Sequence, residues 1–179
     1  MHFDAAAALT VRGVLVELGE HTYRIPPRPA ADWIRVITEG GWTDIVPGWL
    51  VDAGDELDDP LEAGLLTHDD LARAAKDALT VAAGVRKWWI ATTLIHSAGG
   101  ESVVLGEIAL SGMDLTRCSL GAYVQAVYRI YTRHADAKQR GKVDFQLEKP
   151  PPGVSAAERF DEELATENFE KLARARGLG

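Results

Sequence analysis

The chain has 179 residues, 46% hydrophobic and 26% charged, which is the composition of a folded protein with material for one core and a short accessory element. Its formal net charge of −8 argues against nucleic acid as a partner, because such binding draws most of its affinity from Lys and Arg on phosphates. No apolar run reaches the roughly 18 residues that span a bilayer, so no membrane partner is expected.

The opening MHFDAAAALTVRG has an early acid and no basic flank, unlike a secretory leader, and a cytoplasmic location is expected. The next stretch, VLVELGEHTYRI, predicts a β-hairpin. With Gly19 and Glu20 as a two-residue II′ turn, Leu18 faces His21, Val16 faces Tyr23 and Val14 faces Ile25. Val14, Val16, Tyr23 and Ile25 then share one face, and Leu15, Glu17, Thr22 and Arg24 the other. Two strands alone are marginal in water, so the apolar face must lie on helices or on another subunit.

PPRPAADWIRVITEGG predicts a short helix with Pro29 in its first turn and Gly40-Gly41 at its end. Ala30, Trp33, Ile34 and Ile37 make its buried stripe. Between Trp42 and Leu66 the pattern is irregular, with six acids from Asp52 to Glu62. A calcium loop does not fit, since Gly54 stands where a ligand is needed and no Glu closes the loop. A solvated acidic loop is expected, with a weak cation site as the alternative.

Thr67 with Asp70 predicts an N-cap for HDDLARAAKDALTVAAG, whose inner face of Leu71, Ala75, Ala78, Leu79 and Ala82 is small enough for close helix approach. In VRKWWIATTLIH apolar residues point almost all round, marking the central, most enclosed helix. A short apolar segment, SVVLGEIALSG, leads to SLGAYVQAVYRIYTRH. There Leu120, Tyr123, Val124, Val127, Ile130, Tyr131 and His134 cluster within about half a turn, with Gln125, Arg129, Thr132 and Arg133 opposite. A last body helix starts at Asp136, contributes Phe145 and Leu147, and ends at Pro150 to Pro152.

After the prolines, Ser155 and Glu158 form a capping-box pattern, and Glu167 with Lys171 and Glu170 with Arg174 stand at i, i+4, so a second helical segment is predicted. Phe160 and Leu164 share one side of it, and Ala165, Phe169 and Leu172 lie about a third of a turn round. This division gives a body over residues 1–153 and an arm over 154–179. The arm either folds back on the body or is offered to another protein through Phe160, Leu164, Phe169 and Leu172, held off by a stiff proline spacer. The fold class expected is mainly α, formally α+β: a hairpin packed on five to six helices, with a C-terminal helical arm.

Catalytic and metal chemistry is not indicated. The five histidines, His2, His21, His68, His96 and His134, sit in separate predicted elements without metal-ligand spacing, and His96 and His134 are read as core or cap residues. The single cysteine, Cys118, lies at a helix entrance and is read as an inert thiol. Trp88 and Trp89 are read as core. No nucleophile elbow, phosphate loop or dinucleotide fingerprint occurs, so a non-enzymatic binding protein without cofactors is expected.

ELGEHTYRIPPRPAADWI, then DLARAAKDALTVAAGVRKWWIATTLI, then SLGAYVQAVYRIYTRHADAKQRGKVDFQLEKPPPG together resemble the tail assembly chaperones of long-tailed phages and prophages of actinobacteria. The likeness covers roughly residues 14–153. Thirteen Arg against six Lys suits a GC-rich genome. The resemblance implies a non-catalytic protein that binds the long tape-measure protein and keeps its apolar helices soluble until tail-tube protein polymerises round it, with self-association possible. It also implies that a frameshifted longer form exists in many members. A structural virion role, as a head-to-tail adaptor or tail terminator adding a strand to a neighbour, is the alternative.

Overall fold

The computed structural model describes residues 13–18, 21–49, 57–152, 154–156 and 159. A two-stranded antiparallel hairpin, β1 (Val14–Leu18) and β2 (His21–Ile25), precedes α1 (Ala30–Glu39), α2 (Trp42–Ile45), a 3-10 turn (Pro47–Trp49) and α3 (Asp58–Glu62). The longer helices follow: α4 (His68–Ala83), α5 (Trp88–Gly100), α6 (Ser102–Leu110), α7 (Leu120–Thr132) and α8 (Ala137–Glu148). Six helices of nine or more residues therefore form a mainly α body behind an N-terminal hairpin. The turn residues 19 and 20, the acids from Asp52 to Glu56 and the arm from residue 160 onward lie outside the described residues.

The hairpin register pairs Val14 with Ile25, Val16 with Tyr23 and Leu18 with His21, as alternation required. Val16, Leu18, Tyr23 and Ile25 are buried while Leu15, Glu17, Thr22 and Arg24 face outward. β1 lies along α4, so a helix supplies the cover that two strands need. At the strand entrance Gly13 is required: a Cβ there would sit 2.0 Å from the Ile25 carbonyl oxygen.

Pro29 precedes α1 without a side-chain cap, and the first N–H groups of the helix find partners across the chain. Ala30 donates to the Cys118 carbonyl and Ala31 to the Leu115 carbonyl, each at 2.9 Å. This borrowed cap fixes α1 to the loop that opens α7 and satisfies donors a helix start always leaves open. Ala30, Trp33, Val36 and Ile37 bury the inner stripe, and Gly40 and Gly41, with φ of 85° and 70°, end the helix in conformations that favour glycine.

α4 starts at the expected capping box. Thr67 Oγ1 accepts from the Asp70 N–H at 3.2 Å, and the Asp70 carboxylate accepts from the Thr67 N–H at 2.9 Å. Its buried stripe is Ala74, Ala75, Ala78, Leu79 and Ala83, with Leu71 and Ala82 at the margin. α5 is the enclosed helix: Trp89, Ile90, Ala91, Leu94, Ile95 and Ala98 are all buried, and α1, α4, α6, α7 and α8 each pack on it.

Three expectations need correction. Neither His96 nor His134 is in the core: His96 stands on the solvent-facing edge of α5, and His134 is exposed just beyond the end of α7, its Nε2 accepting from Arg133 Nε at 3.1 Å. Phe145 is 74% exposed while Leu147 is buried: two positions apart on a helix point about 200° apart, so α8 can bring only one of them to the body. Thr132, placed on the polar side, is buried, its hydroxyl donating to the Tyr128 carbonyl at 2.8 Å and so losing its demand for water. Just past the prolines, Val154 is buried with the core.

Candidate protein-binding groove

α6 is apolar on nearly every side, yet only Val104 and Ile108 are buried. Leu110 is 89% exposed and Val103 69%, and Leu105 is exposed as well. A helix of this composition is ordinarily enclosed. Here Leu110 borders a groove of about 1070 Å³ bounded by α6, α7 and the start of α8, while Val103 and Leu105 are exposed outside its lining.

Three elements build the groove. Ser119 caps α7, its Oγ accepting from the Ala122 N–H at 3.2 Å, and so sets the rotation that turns Ala122 and Ala126 outward as a shallow floor. Ile108 and Leu110 of α6, with Met113 just beyond it, form the wall. Asp136 caps α8 through a second capping box with Gln139 and places Arg140 at the groove's far side.

The electrostatics differ from those of the chain as a whole. Arg129, Arg133 and Arg140 line the groove against one acid, Glu107, in a protein of net charge −8. Glu107 accepts from Arg133 at 2.6 Å, a charge-assisted bond that ties α6 to the end of α7. Tyr128 donates to Asp144 at 2.7 Å and ties α7 to α8. Burial, then that bond to a carboxylate, push the Tyr128 hydroxyl up to about 12. Burial and the neighbouring Glu101 carboxylate do the same to Tyr131, also to about 12. Both phenols therefore stay neutral at physiological pH.

Other sequence-level candidates fall elsewhere. Trp88 and Trp89 belong to a stack: Trp88 meets Trp42 and Trp89, each at 5.7 Å between ring centroids, and Lys76 and Lys87 lie over their faces at 5.3 and 5.2 Å. Their faces are thus occupied by the protein itself, as core reading requires. Burial raises the Cys118 thiol, the direction opposite to an activated nucleophile. Among the described residues no three His, Cys, Asp or Glu side chains gather as metal ligands, and no helix is long and apolar enough to cross a membrane. Asp58, Asp59 and Glu62 of the acidic stretch are exposed on α3. Phe160, Leu164, Phe169 and Leu172 lie outside the described residues.

Sequence reasoning missed the groove. Its signal was present in SVVLGEIAL, whose apolar residues exceed what one buried stripe can use. No family model, curated protein or solved structure matches the chain.

Proposed function

We propose that the protein is a non-catalytic tail assembly chaperone that binds the tape-measure protein of a long-tailed phage and holds its apolar helices in solution while tail-tube protein assembles. The observation that carries this reading is the exposed apolar surface of α6, where Val103 and Leu105 stand uncovered and Leu110 borders the groove. Contiguous apolar surface with a polar rim is the mark of a protein-binding face. The groove's floor of alanines admits a helix, whose diameter with side chains is about 10 Å. The resemblance of the hairpin, the central helices and the proline stop to tail assembly chaperones narrows the partner to a long helical protein. The arm residues Phe160, Leu164, Phe169 and Leu172 are proposed as a second contact, to the tape-measure or tail-tube protein. The compartment proposed is the cytoplasm of the infected bacterium.

A structural virion part, adding a strand to a neighbour through β1, is the second reading; the outward Leu15 on that strand favours it. Immunodetection separates the two. The chaperone should be present in lysates of infected cells and absent from purified virions, whereas a head-to-tail adaptor or tail terminator would remain in the particle.

A further inference from the structure

The open face of α7 carries one stripe at helical spacing, Ala122, Ala126, Arg129 and Arg133. Its first half is small and apolar; its second half is basic, and Arg140 of α8 joins that end. The sequence around and beyond Arg159 has the complementary order. At 100° per residue Glu158, Glu162, Ala165, Phe169 and Leu172 fall within about 80° of one another, acids first and large apolar side chains last. The spacings match as well. Ala122 to Arg129, Ala126 to Arg133 and Glu162 to Phe169 are each seven residues, about 10 Å along a helix.

We propose that the groove takes the segment from Glu158 to Leu172 of a second copy of this chain, as a helix antiparallel to α7, so that copies join head to tail. Glu158 and Glu162 then meet Arg129 and Arg140, and Phe169 and Leu172 meet the alanine floor and the α6 wall. The tether favours a second copy over the same one. Arg140 lines the basic end of the groove and Asp144 accepts from Tyr128, so α8 leaves that end antiparallel to α7. From Arg140 to Glu148 it covers eight residues, about 12 Å. The chain is still fixed to the body at Arg159, whose guanidinium donates to the carbonyl of buried Val154 at 3.3 and 3.1 Å. From there only three residues lead to Glu162, at most about 10 Å of extended chain. So short a tether from a point held on the body favours the groove of a neighbouring copy over the segment's own. The contact joins two different surfaces, so it builds open chains or a ring rather than a two-fold dimer. It fills the groove proposed to take a foreign apolar helix, so self-association and partner binding exclude each other, and the contact between copies stands whatever that partner is.

Sedimentation velocity on the full-length chain over a concentration series is the test. Wild type should rise from the 19.4 kDa monomer to larger species as concentration increases, and added salt should reverse the rise because the contact is charged. R129E/R140E and E158R/E162R, each with a native circular dichroism spectrum, should remain monomeric. An equimolar mixture of the two variants should associate again, since each reversed groove then meets a reversed segment. A wild type that stays monomeric throughout would overturn the proposal, including the case in which the segment occupies its own groove. So would association that survives both charge reversals, or a mixture that stays monomeric although both variants are folded.

Discussion

Replacing Leu94 with Ala tests the placement of α5 at the centre. Leu94 is 2% exposed, and the helix it stands on is packed by five others. Removing three carbon atoms forfeits roughly 0.8 kcal/mol each, about 2.4 kcal/mol of transfer free energy. A cavity term adds to this, because neighbours such as Ile90, Ile95 and Ala98 are themselves buried and the surround can close only in part. A total of about 3 to 5 kcal/mol is expected. For a chain of this length that corresponds to a fall of roughly 6 to 20 °C in Tm. Val103→Ala on α6 is the control: the side chain is largely exposed, and the change should stay within about 0.5 kcal/mol. Urea unfolding followed by far-ultraviolet circular dichroism measures both, with an unchanged m value marking a stability effect. Equal shifts for the two variants, or a silent Leu94→Ala, would refute the assignment of α5 as the enclosed helix.

Three further outcomes are expected. Tyr23→Asp should unfold or insolubilise the protein and Glu17→Lys should be nearly silent, because the two project from opposite faces of the hairpin; solubility and melting curves that match would show the pairing to be wrong. A chain ending at Gly153 should be less stable than one ending at Arg159 by about 1.5 kcal/mol, the value of one buried valine, whereas equal melting of the two would mean that Val154 contributes nothing. Tyr128 has its folded pKa raised above the ordinary phenol value of 10, so the stability it contributes is present below pH 10 and is lost as pH climbs towards 12. Wild type should therefore lose more stability than Tyr128→Phe between pH 9 and pH 12 (~3 pH units spanning both titrations), and parallel losses would argue against the raised pKa that burial and the Asp144 bond give this phenol.

Period and punctuation made most of the body legible. The hairpin register followed from alternation, because a slip by one residue would have put Leu15 and Glu17 inward. Thr67 with Asp70 and Asp136 marked true helix starts, since these side chains satisfy orphan N–H groups wherever the helix goes next. What could not be read was which of two apolar residues a weakly amphipathic helix turns inward. Phe145 and Leu147 compete on α8, and only the position of α7 and α5 decides for Leu147. The borrowed cap on α1 was equally hidden, since its acceptors at Leu115 and Cys118 lie more than eighty residues away in sequence. The groove escaped for a related reason: an apolar segment announces burial, and its openness on one flank is a property of the assembled helices.

The central claim, that the chain binds an apolar helical protein and keeps it soluble, is tested most directly by co-expression with the tape-measure protein of the same phage. Soluble tape-measure protein that co-purifies with the chain, and precipitates when the chain carries Leu110→Glu and Val103→Glu in the open flank of α6, is the result the account predicts. Tape-measure protein that is equally insoluble with and without the chain, and never co-purifies with it, would contradict the account.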